Sequence, residues 1–167
     1  MKKILSLALA LAMIGTALTG CGSKDAATKT PAENTQQTAP VQQEQSQTEK
    51  ALALINTFAT GDTDTARSLL ADGYIQHNLA YGTGADAFIG SVEYLASAEV
   101  KTTVNNIRAF EDGDKVFLQT IYNFAGAGEQ VAFDIFRFDE NGKIAEHWDV
   151  METIADQSTW QNQNGKF

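Results

Sequence analysis

Ionisable residues interrupt an apolar segment near the C-terminal end of the sequence. The segment runs from Val131 to Met151 and is typical of two strands joined by a tight turn. Alternate side chains of a strand share a face, so Asp134 lies on the same face as Phe136. The second strand contains the unbroken run Glu146-His147-Trp148-Asp149. Burying ionisable groups in a sheet is costly unless they are paired or used. This hairpin therefore either holds a structural polar network or lines a pocket.

The turn residues predict how the two strands pair. Asp139 and Gly142 suit a type I turn closed by a glycine in the left-handed region, which gives a three-residue loop. That register pairs Asp134 with Trp148. In this register one face of the hairpin carries Asp134, Phe136, Glu146 and Trp148. We predict that this face points to the interior.

A different loop length would reverse this assignment. A four-residue loop shifts the pairing by one position, which brings His147 and Asp149 beside Asp134. The three-residue loop is the favoured prediction. His147 and Asp149 are then exposed or interface residues, and they become site residues only if the register slips.

The elements before the hairpin predict an α+β domain. Apolar spacing indicates three helices, the first ending at Gly61, the second beginning near Asp62 and ending near Gly73, and the third spanning about 85–98. Four strands follow from residue 100 onward. We therefore expect about three N-terminal helices packed on a curved antiparallel sheet of about four strands.

The N-terminal region has the features of an export signal. Lys2 and Lys3 precede an apolar run from Ile4 to Leu18, which is too short to span a membrane easily. The ending Leu18-Thr19-Gly20-Cys21 resembles a bacterial lipobox, which implies cleavage before Cys21 and a diacylglycerol on its thiol. Residues 1–21 are thus predicted to be a lipoprotein signal peptide that places the chain on the outer face of the cytoplasmic membrane, or on the periplasmic side of an envelope membrane.

The rest of the chain divides into three parts. Residues 22–48 are rich in Gln, Thr and Ala and are predicted to be a disordered tether. Residues 49–153 form the predicted domain, and residues 154–167 form a polar C-terminal tail. Without Lys2 and Lys3 the chain has ten basic residues against 21 acidic ones, which argues against nucleic acid as a partner.

Two motifs in this order resemble the SnoaL-like branch of the NTF2-like superfamily. The first is Tyr74-Ile75-Gln76-His77-Asn78, and the second combines Asp134-Ile135-Phe136-Arg137 with Glu146-His147-Trp148-Asp149-Val150. More narrowly, they are similar to the group of predicted SnoaL-like aldol-condensation enzymes. The resemblance implies a cone-shaped fold with a pocket between a bent sheet and its helices.

The resemblance also implies which residues face that pocket. His77 and Asp134 are the expected acid–base residues of a cofactor-free lyase or isomerase acting on a carbonyl compound. The expected pocket lining is Tyr74, Phe136, Glu146 and Trp148. No cofactor is expected, and two histidines without a nearby cysteine disfavour a metal site.

Three functions are compatible with these residues. The chain is expected to bind a small molecule, either as an enzyme or as a non-catalytic binding lipoprotein. A third alternative is a dimerisation module, because sheets of this fold commonly pair back to back. The expected partners are accordingly a small-molecule ligand or substrate, the membrane through the lipid on Cys21, and a second copy of the chain through the sheet.

Overall fold

A computed structural model describes residues 44–167 of the chain. Cys21, the signal peptide and residues 22–43 of the predicted tether lie outside the described residues. Among the described residues, no helix is both long enough and apolar enough to cross a bilayer.

Three helices and five strands make up the domain. The helices are α1 (Gln47–Thr60), α2 (Thr63–Leu69) and α3 (Ala85–Ser97). The strands are β1 (Leu70–Gln76), β2 (Thr103–Asp112), β3 (Lys115–Asn123), β4 (Glu129–Phe138) and β5 (Ile144–Thr153). A short 3₁₀ helix, Gln157–Thr159, follows β5.

The helix ends follow local chemistry. Ser46 and Glu49 form a capping box at the start of α1, so that the helix begins two residues before the predicted domain boundary. Gly61 ends α1 with φ 73°, where only glycine is unstrained, and a Cβ there would lie 2.7 Å from Ala96. Asp62 then caps α2 by accepting a hydrogen bond from the Thr65 amide at 2.9 Å.

The sheet has five strands, not four, and it is mixed. Its order is β1-β5-β4-β3-β2, with β1 parallel to β5 and the other pairs antiparallel. The second helix ends at Leu69, and the chain continues directly into β1 at Leu70. The expected α+β class with three helices is confirmed, whereas the wholly antiparallel sheet is corrected by this parallel edge strand.

The hydrophobic core lies between the helices and one face of the sheet. Its fully buried side chains include Leu54 of α1, Val92 of α3, Tyr122 of β3 and Phe136 of β4. The C-terminal tail contacts the sheet at Gln119, whose amide donates to the Lys166 carbonyl oxygen at 2.9 Å.

The substitution Leu54→Ala tests this core. Leu54 is 0% exposed, so its truncation leaves a cavity and is expected to lower the free energy of unfolding by about 2–5 kcal/mol. Leu79→Ala is the matched control, since Leu79 is 100% exposed and the same change there should stay within about 0.5 kcal/mol. Equal effects in urea unfolding would contradict the placement of α1 in the core.

Candidate functional site

A β-bulge in the last hairpin determines which side chains face the helices. The turn forms as predicted, because the Asp139 amide donates to the Lys143 carbonyl oxygen at 2.8 Å and Phe138 lies opposite Ile144. The next pair is Arg137 with Glu146, so Ala145 is an extra residue in β5.

Beyond the bulge the favoured register is therefore wrong. Asp134 pairs with Asp149 and Phe136 pairs with His147, so Trp148 lies opposite Ile135 instead of Asp134. A three-residue loop followed by one bulge turns the same β5 side chains inward as a four-residue loop without a bulge. His147 and Asp149, not Glu146 and Trp148, share the inner face with Asp134.

This inner face forms the wall of a cavity of about 620 Å³ between the sheet and α3. Within residues 44–167, the carboxylate and imidazole groups that line the cavity all lie on its sheet side, at Asp134, His147 and Asp149. The other lining residues are mainly aromatic or apolar: Phe58, Tyr81, Ala87, Phe88, Gly90, Ser91, Tyr94, Leu95, Tyr122, Phe124, Ala125, Ala127 and Met151. A concave, largely apolar site with a few convergent polar groups is the usual form of a small-molecule pocket.

Asp134 is the most deeply buried carboxylate of the site. It is 3% exposed, and each of its oxygens has a side-chain partner within hydrogen-bond distance. The Tyr122 hydroxyl donates to Oδ2 at 3.0 Å, and Nε2 of His147 lies 3.2 Å from Oδ1. Burial raises the pKa of Tyr122 well above its usual value, so this hydroxyl stays protonated and remains a donor.

Asp149 lies beside this pair and is held by a different element. The Asn78 side-chain amide, just beyond β1, donates to Oδ1 of Asp149 at 2.6 Å. Oδ2 lies 3.9 Å from Nε2 of His147. Burial raises the pKa of Asp149 above its ordinary value; the contacts with His147 and Asn78 oppose this shift, and the nearby charge of Asp134 adds to it.

His147 contacts a third polar side chain through its other ring nitrogen. Its Nδ1 lies 3.0 Å from Nε2 of Gln76 on the neighbouring strand β1. The imidazole ring also stacks on Phe136, with centroids 4.3 Å apart. Packing and hydrogen bonds on both ring edges thus fix the orientation of His147.

The spacing of these three groups also permits a metal ion. One ligand atom from each of Asp134, His147 and Asp149 lies within 4.8 Å of the others. A histidine that binds a metal, however, normally donates its second ring N–H to an acceptor. In His147 the second nitrogen faces the Gln76 amide nitrogen, which is itself a donor. The cluster therefore fits hydrogen bonding better than metal coordination.

The other predicted site residues are divided between the core and the opposite face of the sheet. Phe136 is fully buried beneath His147, and Tyr74 is buried against Phe88 with centroids 6.0 Å apart. Neither lines the cavity. The prediction that Tyr74 and Phe136 line the pocket is therefore corrected, because both side chains are buried in the core beside it.

His77, Glu146 and Trp148 form a separate cluster on the opposite face. The His77 ring stacks on Trp148 with centroids 4.4 Å apart, and its Nε2 lies 3.0 Å from Glu146. Hydrogen bonds from His77 and from Arg137 lower the pKa of Glu146. The prediction that His77 joins Asp134 in the pocket is wrong, because His147 takes that position.

Besides most of the cavity lining, the sequence analysis missed Gln76, Asn78, Tyr122 and Tyr81 as site residues. Gln76 and Asn78 contact His147 and Asp149, Tyr122 donates to Asp134, and Tyr81 lines the cavity. A usable signal was present for two of them, since Tyr74, Gln76 and Asn78 recur with a period of two, as expected of a strand.

Three helices on a mixed five-stranded sheet, with a pocket between the helices and the sheet, are the arrangement of an NTF2-like fold. A family model described as a SnoaL-like domain matches residues 51–147. The chain therefore belongs to the SnoaL-like domain family. Among curated protein sequences, none matches the chain significantly.

Solved structures share this fold at low sequence identity. An NTF2-like protein of unknown function from Cytophaga hutchinsonii is 16% identical with a TM-score of 0.57, over 66% of this chain and 94% of that one. IdmH from Streptomyces antibioticus, a candidate polyketide cyclase, is 18% identical with a TM-score of 0.52, over 65% and 93%. An LEH-like epoxide hydrolase from Mycobacterium tuberculosis is 18% identical with a TM-score of 0.54, over 62% and 80%.

The substitution Asp149→Asn tests the raised pKa of Asp149 through the pH dependence of the free energy of unfolding. Because the folded-state pKa of Asp149 is raised, the stability that it contributes is complete below its unfolded-state pKa and is lost as the pH rises through the folded-state value. The neutral Asn avoids that loss. The variant should therefore exceed the wild type in free energy of unfolding at neutral pH, and the gap should close as the solution becomes acidic.

The exposed Asp72 supplies the matched control for this measurement. Asp72→Asn should show no such pH-dependent gap in urea unfolding followed over the acidic range. A wild type that gains stability relative to Asp149→Asn as the pH rises would contradict the raised pKa.

Proposed function

We propose that the cavity binds an uncharged, largely apolar carbonyl compound and that Asp149 accepts a proton from it. The observation that carries this proposal is the position of Asp149. Its Oδ1 is occupied by Asn78, whereas no hydrogen bond reaches Oδ2 within residues 44–167. A carboxylate oxygen that makes no hydrogen bond, in a residue that lines a largely apolar cavity, is suited to act as a general base.

The charge of the cavity supports the choice of ligand class. Two carboxylates and no Lys or Arg line it among the described residues. An anionic substrate would meet like charge in a poorly solvated site, which is unfavourable by Coulomb's law. The aromatic walls instead favour an apolar body, which leaves a carbonyl or hydroxyl group to face the sheet.

Tyr81 is the proposed donor to the substrate oxygen. Its side chain lines the cavity, and burial together with the charge of Asp149 raises its pKa, so the hydroxyl stays protonated. In the proposed step Asp149 removes a proton from the carbon beside the carbonyl group. The electron pair of the broken C–H bond moves into an enolate, whose oxygen accepts a hydrogen bond from Tyr81. Return of the proton from Asp149 to a different atom would complete an isomerisation. In an aldol addition the enolate carbon would bond to a second carbonyl carbon, whose C=O electron pair moves to its oxygen, and that alkoxide would take the proton from Asp149.

The second candidate function is binding without turnover. The observation that favours it is the size and apolar character of the cavity, which could retain a ligand whether or not Asp149 reacts. The relatives of known fold include both a candidate polyketide cyclase and an epoxide hydrolase, so the fold itself does not select one reaction.

We also propose that the domain is lipid-anchored outside the cytoplasm. The basic residues Lys2 and Lys3, the apolar run that follows and Cys21 support this location. The pocket would then receive ligands from the envelope or from outside the cell. The homodimer through the sheet stays a prediction, supported by the exposure of Phe117, Phe133 and Val150.

Exchange of carbon-bound protons tests the catalytic proposal without knowledge of the whole reaction. Uncharged enolisable ketones are incubated with the protein in D₂O, and loss of the α-proton signal is followed by NMR. Wild type should accelerate exchange for at least one ketone that binds. Asp149→Asn should reduce that rate by about 10²–10⁴-fold, and Tyr81→Phe by about 10²–10³-fold.

Binding and turnover are separated by measuring affinity for the same ketones. Asp149→Asn should keep its affinity within a few fold, because it retains the Asn78 contact and removes only the charge. Asp72→Asn should change neither rate nor affinity. Tight binding with equal exchange in wild type and Asp149→Asn would refute catalysis and leave the binding function.

The anchor is tested in a bacterial host that processes lipoproteins. The wild-type chain should incorporate a labelled fatty acid and sediment with membranes, because the thiol of Cys21 is the proposed attachment site. Cys21→Ser should lose the label. A labelled Cys21→Ser chain, or an unlabelled wild type, would contradict the proposal.

A further inference from the structure

Gln76 uses every hydrogen-bonding group of its side-chain amide. Its Oε1 accepts from the backbone N–H of Asn78 at 2.9 Å. Its Nε2 donates to the Tyr74 hydroxyl oxygen at 3.2 Å and lies 3.0 Å from Nδ1 of His147. The amide has two N–H donors and one acceptor oxygen, so these three contacts satisfy it.

The contact with Asn78 fixes which way the amide points. A backbone N–H can only donate, so the group of Gln76 that faces it must be the oxygen. Reversing the amide would place two donors against each other at Asn78. The nitrogen of Gln76 is therefore held toward His147.

We propose that Gln76 is a positioning residue that sets the tautomer of His147. An N–H donor facing Nδ1 requires a lone pair on that atom. The ring proton of the neutral imidazole then resides on Nε2, which lies 3.2 Å from Oδ1 of Asp134. Gln76 thus makes His147 a hydrogen-bond donor toward the carboxylates.

This tautomer has two consequences for the cavity. Nε2 of His147 presents no lone pair to a cation, so the cluster of Asp134, His147 and Asp149 is kept from binding a metal ion. In addition, Oδ2 of Asp149 is left as the group that can accept a proton. The second consequence rests on the proposed function, whereas the tautomer and the exclusion of metal do not depend on any activity.

Nitrogen NMR of the histidine rings measures the tautomer directly. The full chain contains two histidines, so labelling their ring nitrogens gives two sets of signals, and His77→Ala assigns them. In the wild type at neutral pH, His147 should show an unprotonated Nδ1 and a protonated Nε2. A protonated Nδ1 in the wild type would overturn the proposal whatever the variants do.

Gln76→Glu is the closest change that reverses the polarity at Nδ1. A carboxylate there accepts a hydrogen bond, so Nδ1 of His147 should become protonated in this variant. Gln76→Met removes the donor without supplying an acceptor, and it should replace the single tautomer by a mixture. Ring signals that match the wild type in both folded variants would show that Gln76 does not set the tautomer.

Zinc affinity gives a second readout that is independent of any reaction. A carboxylate behind Nδ1 is the usual support of a zinc-bound histidine, so Gln76→Glu should bind Zn²⁺ roughly 10–100-fold more tightly than the wild type. His77→Ala is included in both backgrounds, because His77 and Glu146 are an exposed pair that could bind zinc. Equal Zn²⁺ affinity of the proteins with Gln76 and with Gln76→Glu would contradict the exclusion of metal by Gln76.

Discussion

The buried carboxylate of Asp134 constrains how the three central strands meet. A charge in apolar surroundings is tolerated only when donors surround it. Tyr122 on β3 and His147 on β5 supply those donors to Asp134 on β4, so one carboxylate side chain links three neighbouring strands. Without the bulge, Glu146 would take the place of His147 opposite Phe136. A second carboxylate, which accepts hydrogen bonds, would then replace the imidazole beside Asp134. The polar requirement of Asp134 thus selects the register that the bulge at Ala145 makes possible.

This requirement explains why turn chemistry alone gave the wrong faces. The predicted turn from Asp139 to Lys143 is present. The predicted pairing fails two residues after Lys143, at the bulge residue Ala145. Ile144 and Ala145 are both buried, so the apolar pattern of β5 is compatible with a bulge or without one. The information needed to predict the bulge was the free-energy cost of burying Asp134 without a hydrogen-bond donor. Placing His147 beside Asp134 gives a buried carboxylate a donor, and that argument could have outweighed the preference for an unbroken ladder.

Most helix ends were predictable from the sequence because their signals are local. Strand β1 was not, and the second helix therefore ends at Leu69 instead of near Gly73. The caps at Gly61 and Asp62 identify helix ends without reference to the rest of the fold. Strand β1 follows α2 without a turn and contains Gly73, which is typical of a break. Its partner β5 is about 70 residues away in the chain, and its pairing is parallel. Gln76 is positioned by this pairing, so its contact with His147 could not be predicted from neighbouring residues.

The hairpin separates its ionisable groups into two sets with different exposure. On the outer face, Glu146 is shared by His77 and Arg137 at a surface that solvent reaches. On the inner face, both oxygens of Asp134 are occupied, and Nε2 of His147 serves as a donor. Oδ2 of Asp149 is then the one carboxylate oxygen of this cluster that has no hydrogen bond within residues 44–167. No cationic side chain lines the cavity in that part of the chain, so negative charge that develops on a substrate must be stabilised by neutral donors. Proton removal by Asp149 and hydrogen bonding by a tyrosine are the chemistry that this charge distribution allows.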